Sequence, residues 1–452
     1  MAKRKKKKKQ HFFGKKEFLF NFFSLLAMLA VVLYFGGRSF YYYSKQSMTK
    51  KVEAQTLNGS VIQNNPVTDD DGIHQDKEGY YFKGNVSNNY VSFANRIFRI
   101  IRINSDNTVK VISDDTNSIF MWGDNKNYQS SNVRNWLEKT NVDFSGVYYR
   151  TIPNIKKFLV NTSYSEDILK NNKIVTGKKI YQDMITTLSI HDYILANGKS
   201  SYINNGRSFH LLGFDEQESN LCVLEDGSIQ SCDNLEGHGV RSVFTFKSNL
   251  AISGGDGTKE NPYVISQGED KNLVGSYVQL GNEKWKVFSD EENILKMQFY
   301  GYVIADGVEF FYHYSDYNSL FNLSDKNSLA FLLNQTYLTN LGYADILLDT
   351  DFYIGEISDD TGYLYTNIYS NKVTAKMGLL NIFDYHIVPE LEDYYHINTT
   401  SEVGSMAYVS LKEGYLKEVD VRDTKHVVPV VSINRSILVS GEGTETNPYV
   451  VG

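Results

Sequence analysis

The chain has 452 residues, 41% hydrophobic and 22% charged. That excludes a disordered chain and exceeds what one ordinary hydrophobic core holds. Of 46 Lys and Arg, nine lie in residues 1–17 beside one acid, Glu17, so residues 18–452 carry 37 bases against 52 acids, a net charge of −15. A body of that sign repels a phosphate backbone, so nucleic acid is not an expected partner.

The amino terminus opens with "KRKKKKK", Lys3 to Lys9, and Lys15 and Lys16 follow. Phe18 to Gly37, "FLFNFFSLLAMLAVVLYFGG", then runs twenty residues without a charge. A helix of that length reaches about 30 Å, the thickness of a bilayer's hydrocarbon core. The Lys run favours the cytoplasmic side. The expectation is a basic cytoplasmic tail (1–17), a single-pass transmembrane signal-anchor helix (18–37), and the rest of the chain outside the cell. The competing reading is a cleaved signal peptide, but Ala27-Met-Leu-Ala30 lacks the A-x-A spacing of a cleavage site. Residues 38–78 are expected to form a tether: "SFYYYS" (Ser39 to Ser44) supplies aromatics suited to the outer interface, and Ser44 to Glu78 is polar and without pattern. Asp69, Asp70 and Asp71 within it are expected to be solvated acids.

Beyond the tether, phrases recur in one order at a spacing of about 187 residues. "NNYVSFANRIFRII" (Asn88 to Ile101) matches "GSYVQLGNEKWKVF" (Gly275 to Phe288), placing Phe98 opposite Trp285. Alternating apolar residues around Asn/Asp turns predict a hairpin in each. "SNVRNWLEKT" matches "NSLAFLLNQT", both at helical spacing. "TTLSIHDYIL" matches "GLLNIFDYHI", where Ser189 or Asn381 would cap a helix with an acid three residues on. Gly198 is expected to end the first of these helices. "GGDGTKENPYVI" (Gly254 to Ile265) matches the closing "GEGTETNPYVV". In that last phrase Gly255, Gly257, Asn261, Pro262 and Tyr263, or Gly441, Gly443, Asn447, Pro448 and Tyr449, predict a tight reversal and a short returning strand, a structural clasp. The duplication divides the chain into modules 79–267 and 268–452.

This order, with "GVRSV" at Gly239 to Val243 leading into the last strand and the G-x-G-T-x-x-N-P-Y ending, resembles a surface domain of unknown function. That domain is common in low-GC Gram-positive bacteria and is similar to the C-type-lectin-like and formylglycine-generating-enzyme fold. The resemblance covers nearly all of 79–452. It implies an α+β chain in which a transmembrane helix precedes two tandem, duplicated, β-rich C-type-lectin-like modules. It also implies an ion pair between Arg241 and an acid such as Asp192. Ser242 stands where the family has proline, and Val428 stands where module one has Arg241, so any role of that Arg is missing from the second copy.

Chemistry-bearing residues are few. Cys222 and Cys232 flank "LEDGSIQS", whose Asp226-Gly227 predicts a hairpin. A turn at Asp226 to Ser228 would set the two cysteines directly opposite each other, which suits a disulfide; free thiols are the main alternative, and a metal-binding or catalytic pair the remaining one. The resembling enzymes use a cysteine pair, but no His lies within this hairpin, so that activity is not carried over. His238, between two glycines, and Arg241 are candidates for a binding surface, as are Tyr312, Tyr314, Tyr394 and Tyr395 in Tyr-rich loops. The Gly-Lys-Ser at 198–200 lacks the earlier glycine of a phosphate loop. There is no H-E-x-x-H, no G-x-S-x-G and no paired-Cys zinc spacing. No cofactor, metal or catalysis is therefore expected. The expected function is a membrane-anchored extracellular binding protein whose modules recognise a glycan, peptide or surface partner. Its alternatives are a structural or assembly component of an envelope complex, and an enzyme with a divergent Cys/His site.

Overall fold

A run such as Arg96-Ile-Phe-Arg-Ile-Ile-Arg-Ile-Asn104 offers β-branched and aromatic residues on both faces, and it forms the central strand of a large sheet. The computed structural model describes residues 55–116, 118–123, 127–138, 146–268, 271–305, 308–317, 321–357, 365–381, 396–401, 406–410 and 416–452. The basic tail, the expected membrane helix, residues 38–54 of the expected tether, the helix expected after Asn381, and Tyr394 and Tyr395 lie outside those residues. No helix among the described residues is long and apolar enough to cross a membrane. The fold is mostly β, in several sheets.

Folding begins earlier than the polar composition of 38–78 predicts. Helix α1 (Leu57–Asn64) is capped by the Thr56 hydroxyl and buries Leu57 and Val61, one turn apart. Strands β1 (Gly72–Asp76) and β2 (Gly79–Lys83) pair with Ile73 opposite Phe82, and both side chains are core. Leu57, Val61, Ile73 and Phe82 reach the core, with Ile62 and Tyr80 packed against it, in a stretch most of whose other positions are polar. Thr56–Gly452 form one compact unit.

In module one the frame comprises β3 (Tyr90–Phe93), β4 (Arg96–Asn104), β5 (Val109–Ser113), β6 (Ser118–Met121), β7 (Ile185–Ser189), β8 (Phe209–Phe214), β9 (Asn220–Val223), β10 (Ile229–Ser231), β11 (Gly237–Val240), β12 (Ser242–Phe246), β13 (Ile252–Gly254) and β14 (Tyr263–Ile265). In module two it comprises β15 (Tyr277–Leu280), β16 (Glu283–Glu291), β17 (Ile294–Phe299), β18 (Met377–Gly378), β19 (Val430–Asn434), β20 (Leu438–Ser440) and β21 (Tyr449–Val451). The sheet orders are β7-β12-β5-β4-β3-β14-β13 and β18-β19-β17-β16-β15-β21-β20. In each, the closing strand is parallel to the first strand of the hairpin and every other neighbour is antiparallel. Both central pairs carry a bulge at the same place, Ile101 in one and Phe288 in the other. Phe98 and Trp285 are both fully buried. In module one β10, β9 and β8 extend the sheet beyond β7.

Between the frames lie the less regular parts. In module one the helix Asn132–Leu137 is capped by Ser131, buries Trp136 and Leu137, and aims Arg134 at Asp183 in a two-pronged pair of 2.8 Å bonds. Its counterpart starts as Leu329–Phe331 under Ser328 but continues over Leu332–Tyr337 in π-helical turns, a departure from the regular helix the spacing predicts. The helix Ile190–Leu195 is capped by Ser189, which accepts from the Asp192 amide. The chain leaves it through Asn197 (φ 89°), one residue before the expected Gly198.

The repeated Gly-rich phrase is a clasp in both copies. Gly255 and Gly441 sit at φ 102° and 97°, and a Cβ on either would lie 2.1 Å from the carbonyl oxygen of Pro262 or Pro448. The Gly257 and Gly443 carbonyls accept from the Tyr90 and Tyr277 amides at 2.8 Å, tying each clasp to the strand it closes. Asn261 and Asn447 donate their amides to the hydroxyls of Thr258 and Thr444. Gly441→Ala is therefore expected to destabilise the chain by about 2 kcal/mol or more. A urea-unfolding midpoint that stays at the wild-type value would refute the clasp's role.

Candidate functional site

Two places gather functional groups. The first is a groove of about 540 Å³ where the modules meet, lined by Tyr149, Pro153, Asn154, Ile155, Lys156 and Lys157 from one and Asp290, Glu291, Glu292, Asn293 and Arg435 from the other. Both walls are tight turns. Asn154 at φ 53° leads into a single 3-10 turn, and Lys247 donates to the Lys156 and Lys157 carbonyls at 3.0 and 2.8 Å. Opposite, Glu292 and Asn293 take φ 50° and 69° to connect β16 to β17. The Asn293 amide side chain donates to Asn434 Oδ1 at 2.8 Å. The floor is fixed by Arg435, which holds Asp290 and also donates to the Lys271 carbonyl. Burial raises the Asp290 carboxyl above its ordinary value, and Arg435 opposes that shift.

The modules are bound together beneath this groove. The helical turn Val147–Thr151 lies against β16, with Ser289 Oγ donating to the Arg150 carbonyl at 2.9 Å. Phe288, at the bulge, joins the hydrophobic core of module one, as do Val428 and Val430. The groove walls are thus set by a packed junction, with Lys156 and Lys157 contributed from one side and Glu291 and Glu292 from the other. Such a lining offers hydrogen bonds and charges of both signs.

The second place is the edge of the extended sheet. Cys222 and Cys232 are disulfide-bonded with Cα atoms 5.9 Å apart. Their register differs from the expected one: Cys222 faces Gln230, and Cys232 lies two residues further, donating its amide to Asn220. The reversal centres one residue earlier than Asp226 to Ser228, because Gly227 donates back to Leu224 and Leu224 to Ser228. The nearby histidines come from other strands. Cys222 is the ladder partner of His210 on β8, and Gly239 on β11 pairs with Phe209 on the other side of β8. A ring nitrogen of His238 and both sulfurs lie within 4.8 Å of one another. No alternation marks His210 in "FHLLGF", because β8 is buried along its whole length.

His210 is fully buried, with Nδ1 at 2.7 Å from Asn220 Oδ1 and Nε2 at 2.8 Å from the Phe120 carbonyl. The Asn220 amide nitrogen donates to the Leu211 and Gly213 carbonyls, which fixes its oxygen toward the ring. A neutral imidazole can satisfy only one of two acceptors. Burial nevertheless holds its pKa down to about 4, against the pull of those two acceptors.

Among the other residues singled out from sequence, His238 is buried, not exposed, and stacks edge-on against His210 at 5.3 Å. Arg241 is fully buried and does not meet Asp192, which pairs with Lys110 at 2.7 Å. Its guanidinium donates to the Ser113, Asp114 and Ile203 carbonyls and lies over the Phe209 ring. Tyr314 is core, and Tyr312 is half-buried between Phe310 and His313. These residues therefore do not form one surface, and none lines the groove. No protein-family model matches the chain, and neither a curated protein nor a solved structure matches it.

Proposed function

We propose that the chain is a membrane-anchored extracellular binding protein whose two non-catalytic, lectin-like modules hold a polar ligand, a glycan or a peptide, in the groove between them. The observation that carries this reading is the groove itself, about 540 Å³ with Lys156 and Lys157 on one wall and Glu291 and Glu292 on the other. The uncharged stretch from Phe18 to Gly37 behind a Lys-rich tail supports the anchor. The matching strand orders and the clasp motif support two modules of the surface-domain type.

Full chain purified in mild detergent, applied to a glycan array and to a cell-wall preparation, is expected to retain a ligand. Replacing Lys156 and Lys157 with Glu together should weaken that binding about tenfold or more, because both side chains are exposed and the backbone beneath them is held by Lys247. Binding that is undiminished in the double variant would remove the groove from the reading. No binding to either surface, with measurable turnover of a substrate, would replace it with an enzyme.

A further inference from the structure

Of the residues near the Cys222–Cys232 bond, His238 has the least explained surroundings. Its Nδ1 lies 3.2 Å from the Ser208 hydroxyl, while Nε2 is buried and makes no hydrogen bond. The nearest acid to Nε2 is Glu236, an exposed carboxylate 3.7 Å away. A buried nitrogen left without a partner costs free energy unless something else uses it. Ser208 can accept from Nδ1–H, and in that tautomer the lone pair falls on Nε2, which is how metal-binding histidines are oriented by their outer hydrogen bond. His210 is not equivalent, since both of its nitrogens are engaged by Asn220 and Phe120.

We propose that the Cys222–Cys232 bond is reversibly reduced, and that the two thiolates and His238 Nε2 then form a site for a thiophilic d10 cation of the zinc class. The geometry argues for this: a ring nitrogen of His238 lies within 4.8 Å of both sulfurs, so once their bond is broken the two thiolates stand beside the imidazole and need only move apart to take positions around one tetrahedral ion. Cys222 is fully buried and Cys232 is 7% exposed, so attack from outside falls on Cys232. A dithiol reductant supplies two electrons and two protons to the sulfur–sulfur bond and closes its own disulfide, leaving two thiols. The cation displaces both thiol protons to solvent and keeps a fourth position for water, beside Glu236. In the oxidised chain the same pair is only a staple on the hairpin, so the bond's redox state decides whether the site exists. This inference is independent of the groove.

The test uses the full chain, oxidised and dithiol-reduced, titrated with Co²⁺ and then Zn²⁺. The reduced chain should bind one equivalent of Co²⁺ with thiolate charge-transfer and tetrahedral d–d bands, and Zn²⁺ should displace it. The oxidised chain should show neither band. His238→Ala should weaken binding about tenfold or more; if that variant does not fold, His238→Asn serves in its place. Bands that persist unchanged without His238 would overturn the site, as would equal binding by the oxidised chain. So would a reduced chain that keeps its near-ultraviolet circular dichroism but binds nothing, or one that loses it and does not regain it with Zn²⁺.

Discussion

Replacing Arg241 with Ala is expected to lower the unfolding free energy by about 3–5 kcal/mol, the largest effect of any single substitution considered. The side chain is fully buried and holds three main-chain carbonyls: Ser113 at the end of β5, Asp114 just beyond it, and Ile203 from a separate loop. Truncation takes this donor from all three, although the Asp114 carbonyl keeps the Asn205 side-chain amide at 3.4 Å, at roughly 1–3 kcal/mol for each buried group that stays unsatisfied. It also removes the cation from over the Phe209 ring. Burial pulls the guanidinium down to about 10, so it is still charged at neutral pH, with Asp114 favouring that charge through space. Lys at this position cannot span three acceptors in a fork, so Arg241→Lys should recover less than half of the loss. Urea unfolding of the full chain reads both variants. A loss below about 1 kcal/mol in Arg241→Ala would mean that the carbonyls find water instead.

That result bears on how the sequence could be read. "GVRSV" marked Arg241 as unusual, and the resemblance implied a carboxylate partner; the partners are carbonyls, which carry no side-chain signature. The same limit hid Asp183 as the partner of Arg134, because the two lie 49 positions apart and meet only through the fold. What repeats locally was legible: the hairpin around Phe98 and Trp285, the Ser189 cap, and the clasp glycines, each set by residues within a few positions of one another. Parts assembled from distant strands were not. The groove needs the turn at Asn154 to meet the turn at Glu292, and the cysteine cluster needs β9 and β11 to flank β8. Residues 55–78 failed in the opposite way: their apolar positions were too sparse to stand out, yet Leu57, Val61 and Ile73 all reach the core.

Acid should weaken the fold well before its carboxylates protonate, and His396 gives the cleanest reading of why. The ring is 1% exposed, with Nε2 at 3.2 Å from the Tyr312 carbonyl. Burial pulls its pKa down to about 4, against an ordinary value of 6.5, with the Tyr312 carbonyl opposing the shift. The sign follows from where the proton binds. Above pH 6.5 both folded and unfolded chains hold the ring neutral, so its full contribution to stability is present. As the pH falls from 6.5 toward 4, the unfolded chain takes up a proton that the folded chain refuses, and stability drains away until the folded ring also titrates. A depression of that size corresponds to about 3 kcal/mol at the acid limit and about 2 kcal/mol between pH 7 and 4.5. In the oxidised chain His210 adds an effect of the same sign, since burial depresses it to about 4 as well. His396→Gln keeps a donor for Tyr312 but cannot titrate. Its unfolding free energy should therefore fall less than that of the wild-type chain over the same interval, by about 2 kcal/mol. If the two pH profiles run parallel, the ring is being protonated in place, and the burial that sets its pKa is relieved by local opening around Tyr312.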